Sequence, residues 1–485
     1  QAPWLKVSRS PFRLSPALCL HSFRMGCGAG KSSSRRMAAN KSSSRQVQDA
    51  QDGWRQDELL AKEFKFGGYI ERAEHRGINL DQLGRVKAFA ERACKAKAWT
   101  DTTPAAYSKT SGQVLDMSFL SLYHCNAWVI LPATKERNCS MVEVLFTHAD
   151  GQRPKWFLSH WWGEPIRDCV ACLEEHARQR GNARTDAYWI CAYANRQHDI
   201  GTSGLTADPK ETPFYKALQL AKGVLILLDG PATGPATTLS RIWCGFEDFV
   251  CSTSQESFGR KLLMDIATVR GEGEVPDIIV EGLSVEDEKT FPRLRNEKKL
   301  ERESKFPLAT LLVGLDFEVE TAKATVESDR THILNSIAGR PLAEIDAVPH
   351  EGHDMYDLVN TTIRGLFAKA AYAHVMRSGV LNHRKVLDCM RADKVQRIAN
   401  FVLTSNMDDP DVAATADHLP PNLRSLTMVL CASKSGDIAA MSIAQAIASR
   451  PSLEHIAVDY SGPDTPKYKP NTMLTEAGAG AVFKS

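Results

Sequence analysis

Between residues 154 and 270 the sequence alternates between short apolar runs and amphipathic stretches, and no other feature constrains the fold as strongly. Each apolar run has the length and residue types of a strand, and each amphipathic stretch has helical spacing. The predicted strands are 155–162, 187–193, 224–228, 261–269 and 277–281, and the predicted helices are 165–180, 213–222 and 239–251. This alternation predicts an α/β fold with a parallel sheet covered by helices on both faces.

The same pattern predicts where a ligand would bind. In open parallel sheets, ligands bind beyond the carboxyl ends of the strands. The candidate site is therefore expected in the loops that follow Trp162, Tyr193 and Leu228.

The rest of the chain is expected to divide into four further parts. Residues 1–53 are predicted to be a disordered basic tail, and 54–150 a helical and then mixed region before the α/β domain at 151–283. Residues 284–390 are predicted to be a charged linker and helical region, and 391–485 a repeat region. No apolar run approaches the length of about 18 residues that a membrane-spanning helix needs.

An apolar pattern recurs at the end of the chain, beginning at Ile398, Leu423 and Leu453. Helical stretches follow the first two copies, at 411–414 and 437–440. The pattern resembles the leucine-rich repeat, in which a strand lines a concave face and a helix packs behind it. The resemblance implies a partial solenoid that binds a protein partner. Because the third unit is unfinished, we expect the natural protein to continue beyond Ser485.

The charge of the chain is unevenly distributed. The net charge is +2, yet residues 1–48 contain nine Lys or Arg and no Asp or Glu, which leaves 51 basic against 58 acidic residues in the remainder. Binding to nucleic acid depends on clustered positive charge. The mildly acidic body therefore predicts that nucleic acid is not a partner.

The basic tail contains a lipidation-like motif. From Met25 it resembles an N-myristoylation signal, with Gly26 as the acceptor and Cys27 placed for palmitoylation. Two lipids would anchor a cytoplasmic protein peripherally to a membrane, whereas one holds it only weakly. The abundance of Arg and Ser without acids is also typical of an organellar transit peptide, and a plain disordered tail is a third interpretation.

Two clusters of reactive residues are weak candidates for chemistry. Cys169, Cys172 and His176 share a helical spacing, but no fourth ligand is evident and we predict no metal site. Ser159 and His160 are adjacent on a predicted strand, so their side chains point to opposite faces and do not form a catalytic dyad. The twelve scattered cysteines are typical of a reducing compartment.

Two motifs carry a resemblance to a known family. The predicted first strand contains Phe-Leu-Ser-His at 157–160, and the helix after the third strand contains Trp-Cys-Gly-Phe-Glu at 243–247. Together they resemble the Toll/interleukin receptor (TIR) domain, whose sheet is flavodoxin-like, over about a quarter of the chain. The motifs are also similar to those of a set of uncharacterised protist proteins. Some TIR domains cleave NAD, and others are non-catalytic and assemble by self-association.

The resemblance implies roles for particular residues. Glu247 corresponds to the glutamate in the active site of catalytic members, which act on NAD as a substrate and require no cofactor. Ser159, His160, Trp161, Trp162 and Trp243 are the residues implied to line the nucleotide site. The resemblance thus implies an intracellular signalling protein that binds or hydrolyses NAD or a related nucleotide. The alternative is a non-catalytic scaffold that uses the same surfaces.

Overall fold

A computed structural model describes most of the chain from residue 58 to residue 459. The described ranges are 58–103, 108, 110–147, 152–200, 206–230, 236–271, 274–378, 383–396, 398–402, 407–430 and 435–459. The basic tail with Gly26 and Cys27 lies outside them, as does the end of the chain after residue 459.

In the described part of the chain, eight strands form two sheets. The first sheet has five strands in the order β2-β1-β3-β4-β5, and the second has three in the order β6-β7-β8. The strands are β1 Pro154–His160, β2 Ala187–Trp189, β3 Gly223–Leu227, β4 Leu263–Thr268, β5 Asp277–Ile279, β6 Ile398–Val402, β7 Ser425–Val429 and β8 His455–Asp459.

Helices surround both sheets, and a further helix covers 58–63. The α-helices are α1 Leu80–Lys97, α2 Leu122–Cys125, α3 Leu131–Thr134, α4 Met141–Leu145, α5 Ile166–Arg180, α6 Cys191–Ala194, α7 Pro213–Leu220, α8 Ile242–Ser252, α9 Ser254–Phe258, α10 Val285–Lys289, α11 Arg295–Glu303, α12 Leu308–Gly314, α13 Glu327–Ile337, α14 Asp354–Ser378, α15 His383–Ala392, α16 Asp409–Asp417 and α17 Asp437–Ala448. One turn of π-helix covers Asn126–Ile130, and 3₁₀ turns cover Ala73–His75, Pro209–Glu211, Thr237–Ser240, Pro292–Leu294, Val319–Thr321 and Leu342–Glu344.

Local sequence fixes the helices on one face of the first sheet. Asn79 caps α1 by accepting a hydrogen bond from the amide of Gln82, whose side chain accepts one from the Asn79 amide. Helix α5 follows Pro165 and ends at Gly181, which has a φ of +62°. Glycine adopts this left-handed conformation without strain and commonly ends helices.

The first sheet is buried on both faces. Alternate residues of β1 point to opposite sides, so that Trp156 and Leu158 pack beneath α1 and α5. Phe157 belongs to the other core, with α7, α8 and α14. The predicted α/β arrangement, a mainly parallel sheet flanked by helices, is confirmed.

Three details differ from the sequence prediction. Strand β1 ends at His160, and β2 ends at Trp189, after which the chain forms the short helix α6. A continuous apolar run does not distinguish a buried strand from a buried helix, which is why the second strand was predicted too long. Strand β5 pairs antiparallel with β4, because the connection between them is too short for a parallel crossover.

The second sheet is parallel and continues the core of the first. Helix α16 follows β6, α17 follows β7, and the two helices pack together. Met428 of β7 belongs to the same buried cluster as Phe157 of β1. The leucine-rich repeat prediction and the predicted division of the chain into domains stay predictions.

In the part of the chain that the structure describes, no helix is both long and apolar enough to cross a bilayer.

Candidate functional site

The carboxyl ends of the parallel strands meet at one edge of the first sheet, and β1 places two polar residues there. Ser159 lies on the same face as Phe157, towards α8, and His160 lies on the opposite face, towards α5. The two side chains therefore do not form a dyad, as the strand periodicity predicts. Both are buried, and neither Ser159 Oγ nor His160 Nε2 has a hydrogen-bond partner among the described residues.

Glu247 of α8 lies beside Ser159 and is only 4% exposed. Burial raises the pKa of Glu247 well above its usual range, and the Ser159 hydroxyl opposes this shift without reaching hydrogen-bond geometry. Within the described residues Oε2 of Glu247 has no hydrogen-bond partner. Glu247 also raises the pKa of Cys191, which follows β2. The carboxyl therefore lies near the ends of the first two strands, in a buried environment that disfavours its charged form.

Asp248 is the next residue of α8 and is also buried. Burial raises its pKa to about 8. No described residue forms a hydrogen bond with its Oδ1 atom. Helix α8 thus carries two adjacent buried acids, and burial raises the pKa of both.

Glu164 lies in the turn after β1, on the other face of the sheet. It is 4% exposed, and both of its carboxyl oxygens lack partners among the described residues. Burial raises its pKa well above the usual range, and the charges of Asp229 and Asp168 add to the shift. Glu164 and His160 line a small cavity of about 10 Å³, the size of one water molecule. Burial lowers the pKa of His160 to about 4, so the imidazole is neutral there.

Asp229 follows β3 at the same edge. It accepts hydrogen bonds from the amide of Thr237 at 2.5 Å and from its hydroxyl at 2.8 Å. These bonds tie the 3₁₀ turn before α8 to the end of β3. Burial nevertheless raises the pKa of Asp229.

Four buried carboxyls therefore surround the carboxyl end of the sheet: Glu164, Asp229, Glu247 and Asp248. None of the four forms an ion pair with a residue that the structure describes. Buried carboxyls without a countercharge are costly, and strongly shifted pKa values are concentrated at functional sites. We therefore take this edge as the candidate site.

The three tryptophans predicted to line the site have different surroundings. Trp162 is half-buried and donates its indole N–H to Cys191 Sγ at 3.2 Å, and Cys191 is in turn influenced by the charge of Glu247. Trp161 folds over Gly163, where a Cβ atom would come within 2.1 Å of the ring. A larger residue at position 163 would therefore displace the Trp161 ring.

Trp243 is held by packing contacts. Its ring stacks on Phe214 with centroids 4.9 Å apart, and its N–H donates to Asp329 at 3.1 Å. The structure brings Ser159, Trp162 and Glu247 to one region. It places His160 on the other face of the sheet and ties Trp243 into the helical packing.

In the Cys169, Cys172 and His176 cluster, His176 makes structural contacts. His176 contacts Tyr188 Oη at 2.9 Å and Asp265 at 2.9 Å, and it is fully buried. Among the described residues, no group of three His, Cys, Asp or Glu side chains is arranged to hold a metal ion.

Sequence reasoning missed three of the four carboxyls. Glu164 and Asp229 each follow a predicted parallel strand, and this position alone marks them as candidates. The sequence position of Asp248 does not indicate a site residue, because its burial depends on how α8 packs against the sheet.

Comparisons with protein-family models, with curated protein sequences and with solved structures gave no match for this chain.

Proposed function

We propose that residues 151–283 form a TIR-like domain that binds NAD at the carboxyl end of the sheet and cleaves the bond between nicotinamide and ribose. The observation that carries the proposal is the set of four buried carboxyls without a paired cation. The nicotinamide ring of NAD is positively charged. A cationic ring beside Glu247 would supply the missing countercharge and would lower the pKa of the carboxyl, so that binding ionises it.

The proposed reaction needs little covalent chemistry from the protein. The bond between C1′ of the ribose and the ring nitrogen breaks, and its electron pair neutralises the nicotinamide ring. Positive charge then develops on the ribose, where a carboxylate stabilises it as in glycoside hydrolysis. Water adds to C1′ and a proton is released. Glu247 takes the stabilising role, and the Trp162 ring forms one wall for the nicotinamide.

The direct test is release of nicotinamide from NAD by the full chain, measured chromatographically. The wild-type protein is expected to release nicotinamide, and Glu247→Gln is expected to lower the rate about 100-fold or more, because the amide does not carry the stabilising charge. Glu256→Gln is the matched control, since Glu256 is exposed on the neighbouring helix α9 and should leave the rate unchanged.

Two outcomes would contradict the proposal. Equal rates for wild type and Glu247→Gln would show that Glu247 does not take part in the reaction. No release at protein concentrations that permit self-association would remove the activity itself. Thermal unfolding of each variant shows whether a lost rate reflects a lost fold.

One observation favours the second candidate function, a non-catalytic scaffold. Glu247 is 4% exposed, so the site is closed in this conformation. A scaffold would use the surfaces of the TIR-like domain for self-association, and its neutral acids would serve packing alone. Absence of both NAD binding and nicotinamide release would support this candidate.

We further propose that the repeat region binds a protein partner as a leucine-rich repeat solenoid. The parallel second sheet with α16 and α17 between its strands supports this, as does the exposure of Ile438 and Met441 on α17, at 60% and 54%. Exposed apolar residues on one helical face are typical of interaction surfaces. Lipidation of Gly26 and Cys27 would place this signalling protein at a membrane.

A further inference from the structure

A second cavity lies away from the candidate site, where the far edge of the first sheet meets the helical region. Its volume is about 270 Å³, and β4, β5, α11, α14 and β6 contribute to its walls. The apolar part of the lining comes mainly from Leu263, Ile279, Leu300, Leu366, Ala370 and Phe401. Ile398 also lines the cavity and is 53% exposed, so the cavity reaches the surface beside β6.

The charged side chains that line this cavity are three lysines and two glutamates, so positive charge is in excess. Lys261 forms an ion pair with Glu281, and Lys299 forms one with Glu303 at 2.6 Å. Lys369 lines the same cavity, and its ammonium donates to the carbonyl of Ile398 at 3.2 Å. Among the described residues it has no carboxylate partner. The Lys369 ammonium at the mouth of the cavity therefore has no ion-paired carboxylate, although Asp393 lines a second, smaller cavity together with it.

The surroundings of Lys369 make a negatively charged ligand favourable. Burial lowers its pKa to about 8, the nearby carboxylates Glu281 and Glu303 raise it, and the ammonium groups of Lys261 and Lys299 lower it. An ammonium in an apolar environment is stabilised by an opposite charge within hydrogen-bond distance.

We infer that this cavity binds a fatty acid, with the carboxylate on Lys369 and the hydrocarbon chain against the apolar lining. The volume lies just below the range of about 300–1,000 Å³ that is usual for ligand sites. It suits a single hydrocarbon chain better than a two-chain lipid or a nucleotide. This site is separate from the Glu247 site and does not depend on NAD cleavage.

The binding test uses dodecanoate and 1-dodecanol below their aggregation limits, with the full chain and isothermal titration calorimetry. Dodecanoate is expected to bind, and to bind more tightly than dodecanol, because only the carboxylate can pair with Lys369. Lys369→Met is expected to weaken dodecanoate binding about tenfold or more, because the charge-assisted hydrogen bond to the carboxylate is lost. Dodecanol binding should change little.

Two further variants complete the test. Lys298→Met removes an exposed lysine of α11 next to the cavity wall and should leave both affinities unchanged. Ala370→Phe fills the cavity and should weaken binding of both ligands. The inference is overturned if the wild-type protein does not bind dodecanoate, if dodecanol binds as tightly, or if either Lys369→Met or Ala370→Phe binds dodecanoate as the wild type does. Thermal unfolding confirms that each variant is folded.

Discussion

Replacing Asp265 by alanine is expected to destabilise the protein by about 3–5 kcal/mol, because it breaks a buried ion pair and leaves its cation without a partner. Asp265 is fully buried in β4 and accepts hydrogen bonds from Arg180 Nε at 2.7 Å and from His176 at 2.9 Å. It also accepts one from the amide of Glu281 at 2.8 Å. Although burial by itself raises the pKa of Asp265, the bonds from His176 and Arg180 hold it below the usual range.

The measurement is the thermal unfolding midpoint followed by circular dichroism, with an expected decrease of about 5–10 °C. Asp81→Ala is the matched control, because Asp81 pairs with Arg184 at the surface, where both side chains are more than half exposed. Such pairs contribute about 0–1 kcal/mol. Equal effects of the two substitutions would show that the buried network does not hold α5 against β4.

Replacing Asp248 by asparagine is expected to stabilise the protein, and the gain should grow with pH. The folded-state pKa of Asp248 is raised to about 8 from an ordinary value near 3.8. Between these values the folded protein holds a proton that the unfolded chain has released, so the stability of the wild type falls as pH rises. Each pH unit in this window costs up to about 1.4 kcal/mol, and asparagine removes that dependence.

The check is the difference in unfolding midpoint between wild type and Asp248→Asn at pH 5, 6, 7, 8 and 9. The difference should increase across the series and stop increasing above about pH 8. Asp357→Asn serves as control, since Asp357 is exposed on helix α14 and should give no trend. A difference that does not change with pH would show that Asp248 is ionised in the folded protein.

The main architecture is predictable from the sequence because it depends on local pattern. The apolar runs and amphipathic stretches predict β1, α5 and β3 within a few residues of their observed bounds. Two features are harder to predict from the sequence. The early end of β2 depends on how an apolar run packs, and the antiparallel direction of β5 depends on the length of the connection from β4.

The candidate site is predictable only in outline. Strand alternation separates Ser159 from His160, and the rule for parallel sheets gives the edge where ligands bind. The burial of Glu247 and Asp248 depends instead on the packing of α8 against β1, which no spacing in the sequence specifies. The charge imbalance at Lys369 likewise arises from residues of five separate elements.

The central claim is that Glu247 is held neutral at the end of β1 and that NAD ionises it. Infrared difference spectroscopy of wild type against Glu247→Gln at pH 7 isolates the carbonyl stretch of this one protonated carboxyl. We expect that band in the free protein, because burial raises the pKa of Glu247 well above its usual range, and we expect NAD to abolish it. A carboxylate band in the free protein, or a protonated band that NAD leaves unchanged, would contradict the claim.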